Sequence, residues 1–226
     1  GLNLVRYGIN AADNLYVTAA DVKSEPMLSF SWTAEGKAAH HVESQLIGAY
    51  NITNMLAAIA IGTYFGVEAE RIDAALTNYA PSNNRSQFEQ TADNRLIVDA
   101  YNANPQSMRA ALEILSQTEG AYRAAVLGDM FELGDLGPEL HRSMGECAGA
   151  LGNIDGLLAV GELAWNIYDA AHQSGITQAL YARDRTAAKE LLPNLVRPGA
   201  VILVKASRGM AFEELTREIQ RLAPKA

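Results

Sequence analysis

Leu96-Ile97-Val98-Asp99-Ala100-Tyr101-Asn102-Ala103-Asn104-Pro105-Gln106-Ser107-Met108 is the stretch that decides the fold of this 226-residue chain. A short apolar run ends on an acidic residue, a polar loop follows, and Pro105 opens a helix. The run is apolar on both faces, as a strand must be when helices cover both sides of a parallel sheet. Strand, loop and helix in that order form the unit of an α/β sheet, and ligands of open parallel sheets bind at the carboxyl ends of the strands. Two asparagines and a tyrosine give this loop donors, acceptors and a ring face.

Toward the C-terminus the unit repeats. Strands are expected at 96–99, 124–127, 156–160, 179–181 and 201–205, separated by helices near 105–118, 138–151, 163–173, 185–193 and 211–222. Residues 86 to 226 therefore read as a doubly wound α/β domain with a mostly parallel sheet. Toward the N-terminus the pattern changes. Strands are expected at 4–7, 15–18 and 27–32, with turn chemistry at Ala12-Asp13-Asn14 and Glu35-Gly36-Lys37. Ile52, Met55, Leu56, Ile59 and Ala60 then fall at helical spacing, and Gly66 stops that helix. A second helix covers about 68–78, and Ala80-Pro81-Ser82-Asn83-Asn84 reads as an interdomain linker. The expected domains are 1–82 and 83–226.

Composition bounds the function. The net charge is -8, with 18 Lys and Arg against 26 Asp and Glu, and there is no basic run; nucleic acid is not an expected partner. No apolar stretch approaches the ~20 residues that cross a bilayer, and no basic segment followed by an apolar one opens the chain. Cys147 is the single cysteine, which excludes an internal disulfide and fits a reducing cytoplasm; the plain reading of it is an inert buried thiol. The dinucleotide fingerprint Gly-x-Gly-x-x-Gly follows none of the expected strands. Its nearest approximation, Gly128-Asp129-Met130-Phe131-Glu132-Leu133-Gly134, holds two acids that would repel a pyrophosphate. A P-loop is likewise absent from the sequence.

Five segments then point to one family. Gly48-Ala49-Tyr50-Asn51-Ile52-Thr53-Asn54-Met55-Leu56-Ala57-Ala58 resembles the Gly-x-His-Asn-x-x-Asn-x-x-Ala-Ala segment of the Mur ligases. Asn84-Arg85 resembles the arginine at the start of their C-terminal domain. The Asp99–Pro105 loop, Leu127–Gly134 and Lys205-Ala206-Ser207-Arg208 are similar to the members that add D-alanyl-D-alanine to UDP-N-acetylmuramoyl-tripeptide. Tyr50 stands where many members have histidine, and Ala206 where glycine is common. The resemblance implies a fold in which the β-strand and helical end of the central ATPase domain precedes a Rossmann-like C-terminal domain. It implies ATP-dependent amide ligation through an acyl phosphate, in the cytoplasm, as part of peptidoglycan precursor synthesis. The P-loop, the magnesium ligands and a modified lysine of such ligases would all lie before Gly1. The chain alone is therefore expected to be inactive, with none of its residues assigned to catalysis by the resemblance and no metal ligand of its own. A folylpolyglutamate-type amide ligase and a non-catalytic α/β binding module remain the alternatives.

The resemblance also assigns residues. It places Asn51 and Asn54 near adenine, Arg85 on phosphate and Asp99 on ribose. It places Tyr101, Asn102, Asn104, Lys205, Ser207 and Arg208 toward the substrate, where cations suit the carboxylate of the incoming dipeptide. Each has a plainer reading. Asn51 is a good helix cap, Arg85 can be a surface linker residue and Asp99 an ordinary loop acid. Asn102 and Asn104 are common turn formers, and the cationic loop at 205–208 can pair with local acids such as Glu213. Asp129 and Glu132 suit a helix start. His141 can be a satisfied helical residue or a catalytic one.

Overall fold

The structure is a computed structural model that describes residues 4–9, 15–24, 27–81 and 87–222. The expected turn at Ala12-Asp13-Asn14, most of the linker and Arg85 lie outside the described residues. The chain divides into two compact units, Gly1–Pro81 and Ser82–Ala226.

The first unit has a sheet of β1 (Tyr7–Ile9), β2 (Val17–Ser24), β3 (Met27–Ala34) and β4 (His40–Ile47), and two helices, α1 (Ile52–Tyr64) and α2 (Ala69–Asn78). The strands lie in chain order, with β1 parallel to β2 and the other pairs antiparallel. Leu28, Phe30, Trp32 and Ala34 alternate inward from β3 and share a core with Ile52, Met55, Leu56 and Ile59 of α1. Gly66, at φ +77°, takes the left-handed conformation that ends α1. Asp73 of α2 ties the helix to the sheet. It accepts from the Trp32 indole N–H at 2.8 Å and meets His40 Nδ1 at 2.8 Å, and the imidazole stacks on the indole. The first strand begins at Tyr7 rather than at residue 4. β4 escapes the sequence reading because Ser44 interrupts its inward row of Val42 and Leu46. That hydroxyl is satisfied by donating to the Leu28 carbonyl at 2.8 Å.

The second unit contains β5 (Gln87–Gln90), β6 (Arg95–Asp99), α3 (Pro105–Gln117), β7 (Tyr122–Gly128), α4 (Gly137–Ala150), β8 (Gly156–Val160), α5 (Trp165–Gln173), β9 (Gln178–Ala182), α6 (Arg185–Leu191), β10 (Ala200–Lys205) and α7 (Glu213–Leu222). Its sheet runs β5-β6-β10-β7-β8-β9, parallel throughout except for β5. The edge strand β5 was not expected; four residues with one apolar side chain carry too little periodicity to be seen. Every expected strand and helix from residue 96 onward is present, with ends shifted by at most two or three residues.

Chirality explains the layers. The crossovers from β6 to β7, β8 and β9 all travel one way, and right-handed crossovers put α3, α4 and α5 on one face. The return from β9 to β10 reverses direction and puts α6 on the other face with α7. Leu96, Val98, Val126, Leu158, Ile202 and Val204 pack there with Leu192, Leu215 and Ile219. The alternate residues Ile97, Ala125, Leu127, Leu157 and Leu203 are buried toward the opposite layer. β10 sits between β6 and β7, so the loops after β6 and β10 leave the sheet toward opposite faces. That is a topological switch point, where an open sheet forms its ligand crevice.

Candidate functional site

Asp99 and Lys205 are the last residues of β6 and β10, and they are register partners in the parallel ladder. Their side chains meet, with Lys205 Nζ 2.5 Å from Asp99 Oδ2. The Lys205 side chain is 1% exposed and that of Asp99 12%. The same ammonium donates to the Asn102 carbonyl at 3.0 Å. A buried ammonium needs such partners, because unpaired it would cost several kcal/mol of lost hydration.

The loop between Asp99 and α3 is pinned at its far end too. Asn104 Oδ1 accepts from the Ser107 N–H at 2.8 Å, and Ser107 Oγ accepts from the Asn104 N–H at 3.2 Å, a reciprocal cap with Pro105 in the first turn. Asn102 Oδ1 accepts from the Ala103 N–H at 2.9 Å. Tyr101 lies between these fixed points, and the exposed Arg208 holds its guanidinium 4.9 Å from the centre of the Tyr101 ring. Asn102 and Asn104 are exposed as well. Ser207 turns inward, with its hydroxyl accepting from the Phe131 N–H at 2.9 Å. Its own N–H donates to the Asp129 carbonyl at 3.1 Å. Phe131 lies close over Gly209, where a Cβ would come within 2.9 Å of the ring. Ala206 needs no glycine-like backbone, since it is absent from the positive-φ residues. Its methyl fits because residue 128 is glycine; a Cβ there would stand 2.6 Å away.

The loop after β7 is built differently. Asp129 accepts from the Ala164 N–H at 2.7 Å and the Glu162 N–H at 3.1 Å, which fixes the loop after β8. Gly161, at φ +126°, permits that approach, as a Cβ would lie 2.4 Å from the carboxylate. Burial raises the Asp129 pKa, opposed by the Ala164 N–H, by His141 and by further backbone N–H groups. His141 is fully buried. Its Nε2 accepts from the Met130 N–H at 2.8 Å and its Nδ1 meets the Gly137 carbonyl at 2.7 Å. One nitrogen must accept and the other donate, so the ring is neutral with its proton on Nδ1. Burial lowers its pKa, opposed by the Gly137 hydrogen bond and by Asp129. Both nitrogens are spent on backbone, so the plain reading of His141 holds and the catalytic one does not.

In the first unit, Asn51 is buried and its side chain does not cap α1. Its amide donates back to the Ile47 carbonyl at 2.9 Å, and its Oδ1 accepts from Asn54 Nδ2 at 3.2 Å. The two asparagines thus form one chain, with Asn54 exposed at its end. Tyr50 is exposed. Among the described residues no group of three His, Cys, Asp or Glu could hold a metal ion. Cys147 is partly exposed, and burial raises its thiol pKa. The sequence offered no sign of the Asp99–Lys205 pairing, which depends on β10 inserting beside β6, or of the Asp73 cluster.

The family described as Mur ligase, glutamate ligase domain matches residues 84–208, more than half of the chain. The chain belongs to the Mur ligase family. Among the similar Mur ligases is the UDP-N-acetylmuramoyl-tripeptide--D-alanyl-D-alanine ligase of Escherichia coli, 40% identical over 178 residues, covering 77% of this chain and 38% of that protein. The ligase of the same name from Bacillus subtilis is 35% identical over 185 residues, with the same coverage of each. A crystal structure of MurF from Acinetobacter baumannii superposes with a TM-score of 0.85 at 28% identity, covering 94% of this chain and 46% of that one. The chain thus spans less than half the length of the Mur ligases it matches.

Proposed function

We propose that the chain is the C-terminal portion of an ATP-dependent amide ligase that joins D-alanyl-D-alanine to UDP-N-acetylmuramoyl-tripeptide. The observation that carries this reading is the 40% identity to the Escherichia coli ligase of that activity, extending over 77% of the chain. On this reading, residues 1–82 are the end of the central ATPase domain and 83–226 the C-terminal domain. Uncovered apolar surface on the first unit supports that division. Val5, Tyr7, Ala57, Ala60, Ile61, Tyr64 and Phe65 line an open groove of about 260 Å³, and Leu4, Ile61 and Phe65 are 73%, 61% and 77% exposed. A contiguous apolar face of this kind is normally covered by another part of the protein.

In the reaction, the terminal carboxylate of the tripeptide takes the γ-phosphoryl group of ATP, forming an acyl phosphate and ADP. The dipeptide amine attacks the acyl carbon, phosphate leaves, the amine proton is lost, and an amide forms. Positioning and charge stabilisation supply most of the rate in such chemistry. This chain contributes binding. Arg208 is the exposed cation at the switch point, and its planar fork suits the dipeptide carboxylate. Tyr101 supports that guanidinium from beneath, and Asn102 and Asn104 offer amide groups at the rim. Ser207 and Lys205 serve the same site from inside. Asn51, Asn54, Arg85 and Asp99 carry the nucleotide roles, a carboxylate being an acceptor for ribose hydroxyls. Magnesium would offset charge on the transferring phosphoryl group, and we place its ligands, with the P-loop, in the preceding region. We assign the enzyme to the cytoplasm on its resemblance to the ligases of peptidoglycan precursor synthesis. Among the described residues no helix is long and apolar enough to cross a membrane.

The test is a substrate comparison with the full-length protein. ATP, the UDP-linked tripeptide and D-alanyl-D-alanine should together release phosphate and yield the pentapeptide product by mass spectrometry. Turnover with glutamate on a folate acceptor, and none with the dipeptide, would replace this reading with the folylpolyglutamate-type one.

A further inference from the structure

We propose that Lys205 is a positioning residue that holds the Tyr101–Arg208 pair in register without touching the substrate. The inference rests on the reading above, in which that pair receives the dipeptide. Three observations carry it. First, the ammonium is too buried to meet a ligand, at 1% exposure. Second, it bonds both to Asp99, at the root of the loop after β6, and to the Asn102 carbonyl one residue beyond Tyr101. Third, Lys205 itself stands three residues before Arg208, so one side chain connects both halves of the cation–ring contact.

Stability alone is a poor account of such a pair. Buried ion pairs are often no more stabilising than apolar residues of the same volume, because desolvation cancels most of the attraction. What the pair does supply is geometry. The loop from Asp99 to Asn104 is tied at one end by Lys205 and at the other by the reciprocal cap of α3. The loop after β10 is tied by Ser207 to the Phe131 N–H. Between these anchors Tyr101 has little freedom, and its ring remains beneath the guanidinium. A binding group held by such neighbours loses less entropy when the ligand arrives.

The experiment is a double-mutant cycle in the full-length ligase, measuring the Michaelis constant for each substrate. Lys205→Gln keeps a donor in place of the charge. It should raise the constant for D-alanyl-D-alanine about tenfold, the loss expected from a displaced charge-assisted contact. The constant for ATP should also rise, because Lys205 holds Asp99, but by less than that for the dipeptide. Tyr101→Ala should raise the dipeptide constant as well. If Lys205 acts through Tyr101, Lys205→Gln should add almost nothing in the Tyr101→Ala background. Multiplied effects in the double variant would mean that Lys205 meets the dipeptide independently, and would overturn the proposal. Unchanged dipeptide constants in Tyr101→Ala and Arg208→Ala would instead locate the failure in the site reading, and the proposal would fall with it. Lys205→Met provides the second variant. If neither Lys205 variant yields folded protein, the pair is a folding element and the positioning role is refuted.

Discussion

Two sets of loops leave the same edge of the six-stranded sheet and use similar residues in opposite ways. The loop after β7 and the helix α4 that follows it spend Asp129 and His141 on backbone groups, inside the protein. The loops after β6 and β10 also bury an acid and a base, Asp99 and Lys205, yet they raise Tyr101, Asn102 and Arg208 to the surface. A carboxylate beside a basic side chain near a strand end looks catalytic in either place. The difference lies in topology. β6 and β10 flank the switch point, where neighbouring loops part and open a crevice. β7 and β8 send their loops to the same face, where they close over each other and need internal ties.

The largest effect is expected at Asp99. Asp99→Ala strands the Lys205 ammonium in a site 1% exposed, and losing one partner of a buried pair costs about 3–5 kcal/mol. Chemical denaturation of the variant should show a loss of that order, together with weaker use of ATP. Unchanged stability would mean that the Lys205 ammonium is hydrated or held by other partners.

His141→Ala comes next. It removes a buried ring and leaves the Met130 N–H without its acceptor, for about 2–4 kcal/mol. Ligase activity at a temperature where the variant is folded should survive. Loss of activity with normal stability would return His141 to the catalytic list. Its pH signature has a definite sign. The folded chain holds His141 neutral with a lowered pKa, so below about 6.5 the unfolded chain takes the proton first and stability falls with pH. The raised pKa of Asp129 works the other way. Its ionised form costs stability above the carboxylate range, and that cost is relieved as the pH falls toward 3.8. The wild-type melting temperature should therefore fall more than that of His141→Asn between about pH 7.5 and 5.5.

The smallest effect is expected in the loop after β10. Ala211 sits at φ +47°, in the left-handed region that costs a side-chain-bearing residue about 1 kcal/mol. Ala211→Gly should recover part of that, about 0.5 kcal/mol after the added freedom of the unfolded chain. A denaturant midpoint that falls instead would show that the Ala211 methyl packs usefully.

The α/β layers were legible because strands buried on both faces read as unbroken apolar runs, as at 96–98 and 201–204. β4 and β5 were not, one because Ser44 is satisfied inside its row, the other because an edge strand buries little. The site was legible as residue types and loops, since Asp99, Tyr101 and Arg208 all stand at strand ends. Side-chain direction was not. Nothing in the local pattern says that β10 inserts beside β6, so nothing says that Lys205 faces Asp99 across 106 positions of chain. His141 stayed open for the same reason, because the backbone N–H that satisfies it belongs to Met130, eleven residues earlier.

The central claim is that the loops after β6 and β10 face the amine substrate. Steady-state kinetics of Arg208→Ala in the full-length ligase, with ATP and D-alanyl-D-alanine varied in turn, test it most directly. A lost charge-assisted contact of about 1.5–3 kcal/mol predicts a rise of roughly tenfold to a hundredfold in the dipeptide constant, with that for ATP and the melting temperature nearly unchanged. A raised constant for ATP beside an unchanged one for the dipeptide would contradict the account and assign this loop to the nucleotide.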